Sequence, residues 1–262
     1  MRILVNKGYL FFLFSKYTFP YYIILFISSS YGSNLKSNYF KKSFTYFAGV
    51  RFDVIQNGNS PNRYIWIHGD EQTAKMALEY HLENYGGTAF MIQNEKREIS
   101  YKSTIVDPNR IFSRSGAYHA LRKFKPGWAK GTLKKALDEL DVDRTKFLDL
   151  LMPSKEAILI SVHNNFRGYN IEHEREKSQR ISIKKGQDLR DFFLCTNEND
   201  YNILENGPFN VVLQNKLPDK DNDGSLSWEA LRRNVRYINV ETRLGYLSKQ
   251  KKMLDYIVKY LN

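Results

Sequence analysis

Apolar residues in this chain fall into short runs that alternate with longer segments of helical spacing. Residues 51–56 have strand character. Residues 63–67 form a continuous apolar run of the kind buried on both faces of a sheet. Residues 71–85 switch to a helical period, with Ala74, Ala77, Leu78 and Leu82 on one face and Gly86-Gly87 to stop it. Residues 88–92 are a further short strand, and 99–105 alternate before a loop at 107–110. Helices are predicted over 131–140 and 144–151. Strands are predicted over 157–162, 192–195, 209–213 and 236–240. A closing helix is expected over 248–261, with Leu254, Ile257, Val258 and Leu261 inward. Alternation of this kind predicts an α/β domain: a mixed, mostly parallel twisted sheet flanked by helices on both faces.

Three of the apolar strands run into a polar residue: His68, His163 and Glu241. Open α/β sheets bind ligands at the carboxyl ends of their strands, so residues distant in sequence can meet at one edge. His68 and Glu71 are three apart at a strand-to-helix turn, and Gly69 lets the backbone turn between them. Two histidines and one glutamate, His68, Glu71 and His163, match the donor set of hydrolytic zinc sites, which leave a fourth position open. Asp70 competes as a ligand, or caps the helix that follows. His81, His119 and His173 read as surface or structural residues. Cys195, the one cysteine, has no internal disulfide partner and sits in an apolar strand as a small buried hydrophobe.

The run from Ile67 to Ala74, with His68 and Glu71, resembles the zinc motif of the metallocarboxypeptidase and aspartoacylase/succinylglutamate desuccinylase superfamily. Three later segments, in order, are similar to that superfamily's other motifs: the loop from Asp107 to Phe112, the strand from Ser161 to Asn165, and the strand from Asn239 to Thr242. The resemblance covers roughly residues 47–260. It implies a zinc carboxypeptidase-like fold and one zinc per chain on His68, Glu71 and His163. It also implies hydrolysis of a C–N amide bond by metal-activated water, with Glu241 as general base and then acid. Asn109 and Arg110 are expected to bind a substrate carboxylate, Arg110 through its planar fork. The oxyanion-stabilising residue has no clear counterpart: Arg97 is the first choice and Lys102 the alternative. Pro108 stands where leucine is more usual, and Tyr246 is a candidate to cap the substrate. Expected substrates are small peptides cleaved at the C-terminus, or N-acyl amino acids, each with a free carboxylate. The alternative is an inactive zinc- or peptide-binding module of the same fold.

Composition adds constraints. With 42% apolar and 15% aromatic residues the chain is a globular protein. The net charge of +12 invites a nucleic-acid reading, but half of the excess lies in residues 1–45, which contain no acid. The rest is spread thinly, so no specific nucleic-acid partner is expected. Residues 1–33 have a basic start, apolar stretches and small residues, as in a signal peptide or an N-terminal anchor. Membrane contact is expected only there, and the location is expected to be secreted, periplasmic or membrane-anchored. Residues 34–46 look like a connector, leaving 47–262 as the hydrolase domain. Asp219, Asp221 and Asp223 with Gly224 imitate a calcium loop. Its twelfth position is Ala230, where a glutamate is needed, so an Asx-rich turn is the better reading.

Overall fold

The structure, a computed structural model, describes residues 40–166, 168–217 and 223–261. The expected signal or anchor segment at 1–33 and the core of the calcium-like loop at 219–222 lie outside the described residues. The first elements are the hairpin β1 (Lys41–Phe47) and β2 (Val50–Asn57). Its turn places both Ala48 and Gly49 at positive φ, the backbone a two-residue hairpin loop prefers. Then come β3 (Arg63–Trp66), α1 (Gln72–Tyr85) and β4 (Gly87–Ile92). A small hairpin of β5 (Ile99–Tyr101) and β6 (Thr104–Val106) leads to a 3₁₀ turn at Pro108–Arg110, α2 (Arg114–Phe124) and α3 (Lys130–Leu151). After β7 (Ile158–Asn165) and a second 3₁₀ turn (Ile171–Glu174) follow β8 (Arg180–Ser182), β9 (Phe192–Cys195) and α4 (Glu198–Glu205). The chain closes with β10 (Asn210–Leu213), α5 (Leu226–Arg232), β11 (Arg236–Arg243) and α6 (Leu247–Leu261).

Nine strands make one mixed sheet in the order β1-β2-β4-β3-β7-β11-β9-β10-β8. Its centre, β4-β3-β7-β11, is parallel, and antiparallel pairs flank it. Helices cover both faces, as expected for a parallel centre. On one face Tyr64 of β3 meets His81 of α1, and Asn164 of β7 bonds to both α1 and α6. On the other, Phe147 of α3 packs against Phe47, Phe52 and Phe90 of β1, β2 and β4. This double covering explains why all eight residues of β7 are buried.

The structure differs from the pattern at several points. Part of the expected connector at 34–46 is the edge strand β1, paired along its length with β2. An edge strand tolerates the lysines and exposed aromatics that make this segment look like a linker. The two helices expected over 131–140 and 144–151 are one, because the residues between them include no breaker. Strands β7 and β11 continue past Val162 and Val240, so His163 and Glu241 sit inside strands. Among the described residues no helix is long and apolar enough to cross a membrane.

Candidate metal centre

Strands β3, β7 and β11 are parallel neighbours, so their carboxyl ends lie along one edge. His163 and Glu241 are direct partners in the β7–β11 register. Their side chains therefore leave the same face of the sheet. His68 lies two residues beyond β3, and Glu71 stands at the start of α1. Gly69 between them is needed for closeness: a Cβ there would lie 1.8 Å from the carbonyl oxygen of Asn94.

The three residues converge. His68 Nδ1 is 2.9 Å from Glu71 Oε1 and 3.2 Å from His163 Nδ1, and His163 Nδ1 is 3.0 Å from Glu71 Oε2. All three are buried. Two imidazole nitrogens and one carboxylate face a common point, so a single cation could be held by all three. Tetrahedral zinc with Zn–N bonds of about 2.0–2.1 Å holds its ligand atoms only slightly farther apart than this, so the group fits such an ion. His68 Nε2 meets Asp107 Oδ1 at 2.9 Å. That contact assigns the proton to Nε2 and leaves Nδ1 as the ligand atom, as outer carboxylates do in metal sites. Asp107 also accepts from the backbone of Asn109 and pairs with Arg97 Nε at 3.2 Å.

Electrostatics follow from this packing. Burial raises the Glu71 pKa, but His68 and His163 outweigh it and hold the carboxyl well below its usual range. Burial lowers that of His68, yet Glu71 and Asp107 push it up to about 9. Asp107 is held low in the same way: burial opposes, and His68 and Arg97 prevail. Behind the group, Asn164 takes the amide of Ala74 and donates to Thr242 and Gln250, tying α1 and α6 to β7. Glu71 also receives the Asn164 amide at 3.1 Å and Arg97 Nη1 at 2.8 Å. Asp70 neither joins the metal group nor caps α1.

A cavity of about 290 Å³ opens beside the group, lined among others by Glu71, His163, Glu241, Arg97, Asn109 and Arg110. Glu241 accepts from Asn239 at 3.1 Å and from Asn165 at 3.4 Å. Its pKa is raised, first by burial, with Glu71 adding and His163 opposing. Asn109 Oδ1 accepts the amide of Leu226, and Arg110 stands 3.6 Å from Asp223. Gly224, at positive φ, seats this second segment on the first: a Cβ there would fall 2.1 Å from the Arg110 carbonyl oxygen.

Two expectations fail on placement. Lys102 lies off the cavity, paired with Glu139, and its left-handed backbone opens the β5–β6 turn. It has no part in the site. Tyr246 is half exposed, and its ring carries the Arg243 guanidinium, 3.6 Å from its centroid. Two tyrosines line the cavity, Tyr169 and Tyr237, and the Tyr169 hydroxyl donates to Glu174 at 2.7 Å. Neither Tyr169 nor Glu174 stands out in sequence, and nor does Asp107 as a partner of His68. His81 is buried against Tyr64, His173 closes a capping box and His119 is exposed. Cys195 is buried, with its thiol pushed well up by desolvation.

No protein-family model and no curated protein matches the chain. Three solved structures share a loose likeness. A metallopeptidase candidate from Shewanella amazonensis SB2B is 12% identical, with 85% of this chain and 87% of that one covered at a TM-score of 0.43. Another from Shewanella denitrificans OS217 is 11% identical over 85% and 84%, also at 0.43. The ectoine utilization protein EutE (DoeB) from Ruegeria pomeroyi is 13% identical over 85% and 68%, at 0.42. At these scores, what the site can do follows from its own geometry.

Proposed function

We propose that this chain is a zinc-dependent hydrolase of C–N amide bonds, acting on peptide C-termini or N-acyl amino acids. The observation that carries this reading is the three-way convergence of His68, Glu71 and His163 beside a fourth carboxylate, Glu241, that is close but not part of the group. When bound there, zinc polarises a carbonyl and lowers the pKa of water to about 7. Glu241, steadied by Asn165 and Asn239, takes a proton from the attacking water on its carboxylate. It then delivers that proton to the leaving nitrogen. Burial raises its basicity, which suits a group that must gain and lose a proton near neutral pH. Arg97, held by Glu71 and Asp107, keeps a fixed positive charge on the cavity wall, where an oxyanion would be stabilised. Arg110 offers its fork to a substrate carboxylate. Asn109 has its oxygen engaged by Leu226, so its amide N–H group is what it can offer.

Metal analysis of the purified protein, followed by hydrolysis of peptides and N-acyl amino acids, tests the proposal. One equivalent of zinc is expected. His163→Ala is expected to lose the metal. Glu241→Gln is expected to keep it and lose about 10²- to 10⁴-fold in kcat. Full activity in Glu241→Gln would overturn the mechanism. Stoichiometric zinc with no amide turned over would leave only a binding module.

A further inference from the structure

We infer that Glu174 makes the cavity selective for substrates whose released portion carries a side-chain cation, an amine or a guanidine. The inference takes from the hydrolase reading where the substrate lies, but it is a statement about binding and can be tested as one.

Glu174 ends the 3₁₀ turn after β7 and lines the cavity while only 4% exposed. Its Oε1 accepts the Tyr169 hydroxyl at 2.7 Å, which fixes the carboxyl in place. Among the described residues it forms no salt bridge. Arg110 and Lys177 line the same cavity but neither pairs with Glu174: Arg110 stands by Asp223, and Lys177 is exposed. Burial raises the pKa of Glu174, and the Tyr169 bond and the charge of Lys177 only partly offset it. A buried carboxylate without a cation is costly, and one facing a cavity can be relieved by a ligand.

Two further acceptors on the cavity wall point the same way. Gln214 Oε1 and Asn165 Oδ1 are buried and have no hydrogen-bond partner. Asn165 is not simply misoriented, because its Nδ2 is committed to the Arg190 carbonyl and to Glu241. Buried acceptors are normally paired, so these two are open to a donor brought by a ligand. An ammonium brings three N–H donors and a guanidinium five, each with the charge Glu174 lacks. Leu194 and Trp228 in the same wall offer apolar contact for the stem of such a side chain. An acidic substrate side chain would meet Glu174 as a like charge, and an apolar one would leave all three acceptors unmet. Arg110 remains available for the substrate's carboxylate.

Calorimetry on the zinc-loaded protein tests this with free lysine, ornithine and arginine against norleucine and glutamate. The same amino acids, as the released residue of N-acyl amino acids and dipeptides, form a parallel hydrolysis panel. The basic ligands are expected to bind roughly 10- to 100-fold more tightly than norleucine, the range of a hydrogen bond to a charged group. Glu174→Gln keeps the Tyr169 contact and is expected to bring the lysine-to-norleucine ratio close to one. Glu174→Lys is expected to turn the preference towards glutamate. Zinc content checks that both variants fold. Equal or better binding of norleucine or glutamate by the parent protein would overturn the inference, as would an unchanged ratio in Glu174→Gln. If lysine is favoured but no amide is cleaved, the hydrolase reading fails and this one stands. If amides are cleaved without regard to charge, the reverse holds.

Discussion

Asp107 acts on the metal group without belonging to it. Its bond to His68 Nε2 fixes the ring and the tautomer, and its second oxygen holds Arg97. Asp107→Asn is therefore expected to weaken zinc affinity about 10- to 100-fold, measured by competition with a chelator. His81 makes a separate prediction. Burial beside Tyr64 lowers its pKa to about 4. Between the unfolded value near 6.5 and that figure, the unfolded chain binds a proton that the folded one refuses. Stability therefore falls as pH drops through this window, by on the order of 3 kcal/mol. Denaturant unfolding of metal-free His81→Phe should show a correspondingly smaller loss between pH 7 and 4 than the parent. Single residues were legible in sequence where chemistry and position coincided. His68, His163 and Glu241 each follow an apolar run, and Glu71 is three residues from the first. Asp107, Tyr169 and Glu174 were not, since each matters through a partner or cavity that only the folded chain brings to it.

At the scale of elements, two small features carry the site. Gly69 allows the turn after β3 to pass against the backbone of Asn94. Gly69→Ala must push that backbone aside, so a cost on the order of 3 kcal/mol and a loss of zinc binding are expected, by thermal unfolding and metal analysis. Asn164 joins α1, β7 and α6 through buried bonds. Asn164→Ala leaves several of these groups unpaired and is expected to cost about 2–4 kcal/mol. The central strands and the first and last helices were readable because their apolar period is strong. Helices α2 and α4 are capped by Ser113 and Asn197, whose side chains accept from the amide three residues on. Those capping signals are present in the sequence, but the helices behind them are short and polar. Strand β1 is polar for a different reason: it has a neighbour on one side only.

Across the whole molecule, the site joins two segments of chain more than a hundred residues apart, the 107–112 loop and the 223–226 stretch that leads into α5. The metal group likewise joins His68 and Glu71 to His163, distant in sequence, so a bound metal would favour the folded state. Zinc is expected to raise the thermal midpoint, by an amount that grows with its free concentration. His163→Ala should abolish this response, and differential scanning calorimetry with and without chelator decides it. The mixed sheet was legible from the alternation of elements. The cavity was not, because its wall is assembled from side chains of the 3₁₀ turns, β7, β9, β11, the residue after β10 and the start of α5.

The register of β7 and β11 has one more consequence. His163 and Glu241 face each other across a ladder of backbone hydrogen bonds, and a slip of one residue would turn Glu241 to the opposite face. The spacing of the proposed metal ligand and proton acceptor is therefore set by the register of the central sheet. The groups proposed to touch the rest of a substrate, Arg110 and Glu174, sit on short turns outside the sheet. On the proposed function, chemistry and selectivity thus occupy separable parts. Exchange of those turns should alter which amide is chosen and leave unaltered how it is cut.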